Sequence, residues 1–188
     1  HMASKQDVAS LELQGKRVSS IPKSIGQCTR VERINASDNS ITKIPPQIGN
    51  LVNLVRLNLF NNKITEVPME INSCTKLEEL NLSVNKIKAM PRGYGCLNKI
   101  VFFDLSSNQL TEIGSGIGML LTLKEFYCSF NEIKVLPPEI GLCSQLEKLA
   151  CSNNLIKKLP HEVAKLEMLN TLNVSANKIR YLPPDLGH

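Results

Sequence analysis

The chain has no tryptophan, aromatic residues make up 4% of its 188 positions, and it holds three histidines. So sparse a set excludes the row of stacking platforms that grips single-stranded nucleic acid. His1 and His188 lie at the chain ends, which leaves His161 as the single interior imidazole and excludes a clustered pair. No stretch approaches the ~20 consecutive apolar residues of a membrane span, and no basic region followed by an apolar one marks a signal peptide. No Cys-x-x-Cys occurs. The 22 Lys and Arg exceed the 17 Asp and Glu to give a net charge of +5, short of the concentrated basic face of a nucleic-acid binder. These absences imply a soluble, cytoplasmic protein that uses no metal or other cofactor and binds no nucleic acid. With 42% apolar and 21% charged residues, the composition is that of a folded domain.

What the sequence does contain is a repeat. Nine residues from Leu77, LEELNLSVN, recur in frame from Val8, Val31, Leu54, Leu77, Ile100, Leu123, Leu146 and Leu169, always 23 residues apart. Within a unit, slots 1, 4, 6, 11, 14, 18 and 21 are apolar without exception, although only 42% of the chain is apolar. Slot 9 is Asn in every unit but the first, which has Lys16. All ten prolines occupy slots 15 and 16, and slot 19 is usually Gly.

Each column has a physical meaning. Apolar slots 4 and 6 alternate with polar neighbours, the period of a short strand buried on one face, and successive units stack such strands in parallel ~4.8 Å apart. After slot 11 the chain has to return. Proline at slot 15 fixes φ and removes a donor, so the return leg is expected as an irregular or 3-10 turn rather than a long helix. A buried Asn at slot 9 carries two donors and an acceptor with which to satisfy turn backbone of its own and the adjoining unit, a structural role.

The pattern LxxLxLxxN followed by LPxxIGxL resembles the leucine-rich repeat. The second half, seen as IPPQIGNL (44–51), LPPEIGLC (136–143) and LPHEVAKL (159–166), is similar more narrowly to intracellular Ras-group leucine-rich repeat scaffolds. The resemblance implies an α/β solenoid, a right-handed horseshoe with a concave parallel β-sheet and an irregular or 3-10 convex side. It further implies a protein partner on the concave sheet, with small GTPases or a phosphatase as first expectations. Residues 1–7 read as an expression scar and lead-in, and 8–188 as one domain of eight units. Neither end shows a dedicated polar cap, so either a fragment of a longer protein or an end that pairs with another molecule is expected.

Departures from the frame are few. Tyr94 stands at apolar slot 18, its hydroxyl expected to reach the convex surface. The run GSGIG (114–118) superficially matches a phosphate loop, but it fills slots 15 to 19 of a repeat and lacks a surrounding βαβ unit. Lys99–Phe102 fits a loose phosphatase-docking pattern, yet it belongs to an interior strand. Cys28, Cys74 and Cys143 replace Leu at slot 21, Cys128 and Cys151 replace it at slot 6 on adjoining strands, and Cys96 alone looks exposed. Core-filling thiols argue for a reduced interior rather than a disulfide framework.

If slots 4 and 6 point inward, slots 3, 5 and 7, flanked by 2 and 8, face the concave side. Most are small or polar there, including a Ser column at slot 7 and an Asn series at slot 5, all expected to be open to a ligand. Phe102, Tyr127 and Phe130 depart from this background in two adjoining units, with Val84 nearby, Phe60 upstream and Asp104 at the border. Clustered apolar side chains on a sheet mark interaction sites. These six residues are the candidate partner surface. Half of the cations line slots 9 to 13, a stripe best read as solvated turns. With no nucleophile and base constellation, no metal spacing and no phosphate loop, the chain reads as a non-enzymatic protein-binding scaffold. The alternatives are a regulatory repeat region of a larger enzyme (a Roco-type GTPase, a kinase or a ubiquitin ligase) or a surface or adhesion protein.

Overall fold

Hydrogen bonding between consecutive 23-residue units organises the whole chain. The computed structural model describes residues 8–186; the lead-in of residues 1–7, Gly187 and His188 lie outside them. Eight three-residue strands follow one another: β1 (Ser10–Glu12), β2 (Arg33–Asn35), β3 (Arg56–Asn58), β4 (Glu79–Asn81), β5 (Phe102–Asp104), β6 (Glu125–Tyr127), β7 (Lys148–Ala150) and β8 (Thr171–Asn173). They form one parallel sheet in sequence order. Each residue pairs with the residue 23 positions later, so Leu57, Leu80 and Phe103 lie in register.

Between strands the chain returns through 3-10 turns such as Pro46–Asn50, Pro138–Leu142 and His161–Lys165, five of the seven preceded by proline in extended conformation. Proline holds φ near −70° there, ready for the tight turn, and gives up an N–H that would have no partner at the turn's start. The turns stack on one another as the strands do. Glycine at slot 19 makes this possible: a Cβ on Gly141 would lie 2.5 Å from the Glu162 carbonyl oxygen of the next turn. The result is an open horseshoe-type solenoid with the sheet on its concave side.

The core is a continuous column between sheet and turns. Leu54, Leu59, Ile64, Leu77, Leu80 and Leu82 are fully buried, as are Phe103 and Phe126, whose rings pack 5.7 Å apart. The Asn column closes the turns beside it. Asn62 Oδ1 accepts from the Ile41 N–H of the preceding unit at 2.9 Å, while its Nδ2 donates to Ala36 O at 2.9 Å and to Leu59 O and Phe60 O in its own unit. The same bonds recur for Asn39, Asn85, Asn108, Asn131, Asn154 and Asn177. Every unit therefore completes its backbone bonding only when the next unit is present.

Tyr94 corrects the sequence expectation. It is 4% exposed, and its hydroxyl stays inside, donating to Ile113 O at 2.9 Å and Gly114 O at 3.1 Å. Its fifth-unit neighbour lacks the usual proline, and Gly116 leaves room for the ring, whose edge is 3.1 Å from where a Cβ would stand. A buried hydroxyl needs partners, and two carbonyls freed by the irregular turn supply them. A hollow of about 420 Å³ opens beside this turn. The cysteines fall as expected: Cys74, Cys128, Cys143 and Cys151 are buried, Cys28 is half-buried, Cys96 is exposed, and all six are free thiols.

Candidate functional site

Strand geometry turns slots 3 and 5 of each unit away from the core, and hydrogen bonds decide which of those side chains remain free. Slot 5 carries Asn or Asp in most units, and its side-chain oxygen takes the N–H two residues on. Asn35 accepts from Ser37, Asn58 from Phe60, Asn81 from Ser83 and Asp104 from Ser106. The serines at slot 7 are drawn into the same turns. Ser37 and Ser83 donate their hydroxyls to Asn35 and Asn81, Ser129 and Ser152 bond each other, and all four are buried. The Ser column expected to be open to a ligand is thus largely occupied by internal bonds.

What remains on this face is aromatic and charged. Phe102 on β5 and Tyr127 on β6 sit on a diagonal of the sheet with ring centroids 5.7 Å apart and planes tilted by 46°. In the register, Phe102 lies opposite Glu125 and Asp104 opposite Tyr127. Aromatic rings therefore occupy one diagonal of a two-by-two block and carboxylates the other. Tyr127 donates its hydroxyl to Glu125 at 2.7 Å, and Lys148 on β7 donates to the other oxygen of Glu125 at 2.9 Å. This chain of bonds holds the Tyr127 ring in place. Partial burial, reinforced by the adjacent Glu125 carboxylate, raises the Tyr127 phenol to about 12. The hydrogen bond from Tyr127, followed by that from Lys148, lowers the Glu125 carboxyl. Lys148 is not among the six candidate contact residues; the parallel register sets it beside a residue 23 positions earlier.

Slot 8 holds a second feature. Asp38, Asn61, Val84, Ser107, Phe130, Asn153 and Ala176 all have φ between 50° and 56°, the left-handed region. Asp and Asn tolerate it, and a β-branched or bulky side chain does not. Val84 and Phe130 nevertheless hold it, 38% and 58% exposed respectively. Phe60 is half-buried and follows β3, two strands before the one that carries Phe102. A depression of about 130 Å³ borders the aromatic block at Phe102 and is lined besides by Arg56, Asn58, Glu79 and Asn81. The structure thus joins Phe102, Asp104 and Tyr127 in one block, places Phe130 and Val84 on the adjoining turns, and leaves Phe60 at the margin.

Ion pairs cross the strands of this face: Arg56 with Glu79 at 3.1 Å, Lys124 with Glu147 at 3.0 Å, and Lys148 with Glu125 at 2.9 Å. Exposed pairs of this kind contribute ~0 to 1 kcal/mol each, so they fix register more than they stabilise. Among the described residues, no three His, Cys, Asp or Glu side chains are placed to hold a metal ion. No helix of the described residues is long and apolar enough to cross a membrane.

The family model described as Leucine Rich repeats (2 copies) matches residues 29–73 and 52–91. No curated protein sequence matches the chain. Among solved structures, a leucine-rich repeat protein of Leptospira interrogans is 32% identical, with a TM-score of 0.90 over 96% of this chain and 46% of that one. The leucine-rich repeat ectodomain of the receptor kinase GASSHO1/SCHENGEN3 from Arabidopsis thaliana, in complex with CASPARIAN STRIP INTEGRITY FACTOR 2, is 27% identical. Its TM-score is 0.64, over 94% of this chain and 28% of that one. An internalin of Listeria monocytogenes, 23% identical with a TM-score of 0.77 over 94% of this chain and 49% of that one, shares the fold. The chain spans less than half the length of each of these three. The fold they share is a known protein–protein interaction module, and proteins of such repeats are typically non-enzymatic binding scaffolds. Repeat period, parallel register, Asn column and these matches agree: the chain is a leucine-rich repeat protein.

Proposed function

We propose that the chain is a non-catalytic scaffold that docks a protein partner on its concave sheet, with Phe60, Val84, Phe102, Asp104, Tyr127 and Phe130 as the contact surface. The carrying observation is the backbone at Phe130. A large apolar side chain sits exposed in the left-handed region, where Asn stands in two other units. Conformational strain of ~1 to 2 kcal/mol, with no burial of the ring in the core to offset it, is the signature of a residue kept for a binding surface rather than for stability. The ring pair beside it, held by the Tyr127–Glu125–Lys148 chain, supplies the rigid aromatic anchor that carries much of an interface's energy.

The partner class we assign is a small GTPase, and the setting cytoplasmic signalling. The LPxxIGxL half of the repeat supports this through its resemblance to Ras-group scaffolds. A phosphatase is the second partner. The test is capture of purified Ras-family GTPases, loaded with GTP or GDP, by the chain and by its Phe130→Asn variant. Nucleotide-dependent capture that the variant loses, with a melting temperature equal to or above the parent's, is the expected result. No GTPase captured in either state removes the signalling assignment, while a phosphatase captured through the same residues preserves the docking surface.

A second reading is favoured by one observation: the chain spans less than half of the chains it matches, one of them the ectodomain of a receptor kinase. In that reading these repeats are the partner-sensing region of a larger protein, an enzyme or a surface molecule. The docking surface is the same in both.

A further inference from the structure

We infer that the block formed by Phe102, Asp104, Glu125 and Tyr127 receives an arginine or lysine side chain, so that the partner segment on the concave sheet is basic; this rests on the assignment of that sheet as the docking face. The geometry comes first. A cation set over the block lies beside two rings on one diagonal, 5.7 Å apart, and carboxylates on the other. Cations within ~6 Å of an aromatic centroid are attracted by the ring quadrupole, and a carboxylate adds a charge-assisted hydrogen bond. Both attractions act on the same guest. The host is already in position, because Tyr127 and Lys148 each bond Glu125. Glu125 thus acts mainly as the positioning residue of the Tyr127 ring, leaving Asp104 to face the guest.

Charge balance leads to the same conclusion. Slots 2, 3, 5, 7 and 8 carry eight carboxylates and four cations in a chain whose net charge is +5. The docking face is therefore opposite in sign to the rest of the molecule. Three of its four cations, Arg56, Lys124 and Lys148, already lie in ion pairs with carboxylates of the same face. Among the described residues Asp104 has no ion pair, and its side-chain bond is to the Ser106 N–H at 2.8 Å. An acidic partner would meet like charge here. A wholly apolar partner pressed onto Phe102 and Tyr127 would strip water from Asp104 and return no counter-charge, which is costly for an ionised group. A basic segment with apolar neighbours satisfies rings and carboxylate together.

Three synthetic nine-residue peptides, alternating leucine with arginine, glutamine or glutamate, test this by calorimetry and by chemical-shift mapping on the isotopically labelled 188-residue chain. The arginine peptide is expected to shift the signals of Phe102, Tyr127 and Phe130 and to bind at least ~10-fold more tightly than the glutamine peptide, with affinity falling as salt is raised. Asp104→Asn keeps an acceptor for Ser106 and removes only the charge. It is expected to weaken arginine-peptide binding about 10-fold, equivalent to 1.4 kcal/mol, without lowering the melting temperature. Equal or tighter binding of the glutamine or glutamate peptide at those residues overturns the cation assignment and leaves the docking face standing. Arginine-peptide shifts confined to other parts of the chain overturn the docking face itself. Undetectable binding of the arginine peptide, or full affinity in Asp104→Asn, also overturns the cation assignment.

Discussion

Replacing Asn131 by alanine probes the principle that each unit is completed by the next. Asn131 Oδ1 is the acceptor for the Leu110 N–H at 2.9 Å, and its Nδ2 donates to Leu105 O, Cys128 O and Ser129 O at 3.0, 3.1 and 3.3 Å. The three carbonyls keep second donors when the side chain is removed: Asn108 on Leu105, Asn154 on Cys128 and the Ser107 N–H on Ser129. The Leu110 N–H keeps none, and it belongs to a residue of zero exposure. One stranded buried donor costs ~1 to 3 kcal/mol, and the weakened carbonyl bonding adds about 1. The expected loss is about 3 kcal/mol, a large share of the ~5 to 15 kcal/mol that folded domains possess. Urea unfolding followed by circular dichroism measures it. Native-state hydrogen exchange localises it, with faster exchange expected at the Leu110 amide and little change at Ile41, which holds the same slot in a distant unit. A loss below about 0.5 kcal/mol, or an unchanged Leu110 amide, would refute the claim that the Asn column holds unit to unit.

Three further outcomes follow from the packing and the charges. Gly116→Ala places a methyl group 3.1 Å from the Tyr94 ring and is expected to destabilise by roughly 1 to 3 kcal/mol; pairing it with Tyr94→Ile, the slot-18 residue of most other units, should recover part of the loss in a double-mutant cycle. The Tyr127 phenol, raised to about 12 in the folded chain against ~10 unfolded, contributes stability that is complete below pH 10 and lost as pH rises to about 12; its ring carbon signal followed against pH should show that step, and Glu125→Gln should move it down. Burial raises the Cys74 thiol to about 11 and the Cys143 thiol to about 12, and the bond to Cys151, with burial, holds Cys128 well above its ordinary value, so a thiol reagent should label Cys96 rapidly and these buried positions only at the rate of local opening.

How far the sequence was legible depends on the range of the interaction concerned. Slots 4, 6 and 11 could be assigned to the core from their columns alone, because every unit repeats the same local pattern and each must bury one apolar side against a neighbour. Proline at slot 15 announced the 3-10 return for the same reason, its effect being confined to its own backbone. The aromatic block was visible as an exception to a regular column. Its wiring was not: the bond from Tyr127 to Glu125 depends on how the two side chains turn toward each other along one strand. Likewise, the Ser column looked free in a list of small polar residues, and only its bonds to Asn35 and Asn81 show that it is spent on the turns.

Sequence alone therefore determined the frame: eight units, their parallel order, their buried columns and the place where the polar surface is interrupted. Tertiary structure decided what a column cannot express. It turned the Tyr94 hydroxyl inward onto two carbonyls instead of out to the convex surface, held Val84 and Phe130 in a left-handed backbone, and left Asp104 facing outward while pairing its charged neighbours. The division is physical. A repeat period records what each unit does by itself and to an identical neighbour, whereas these features arise where neighbouring units differ, and their outcome is fixed only when the two are placed a strand's width apart.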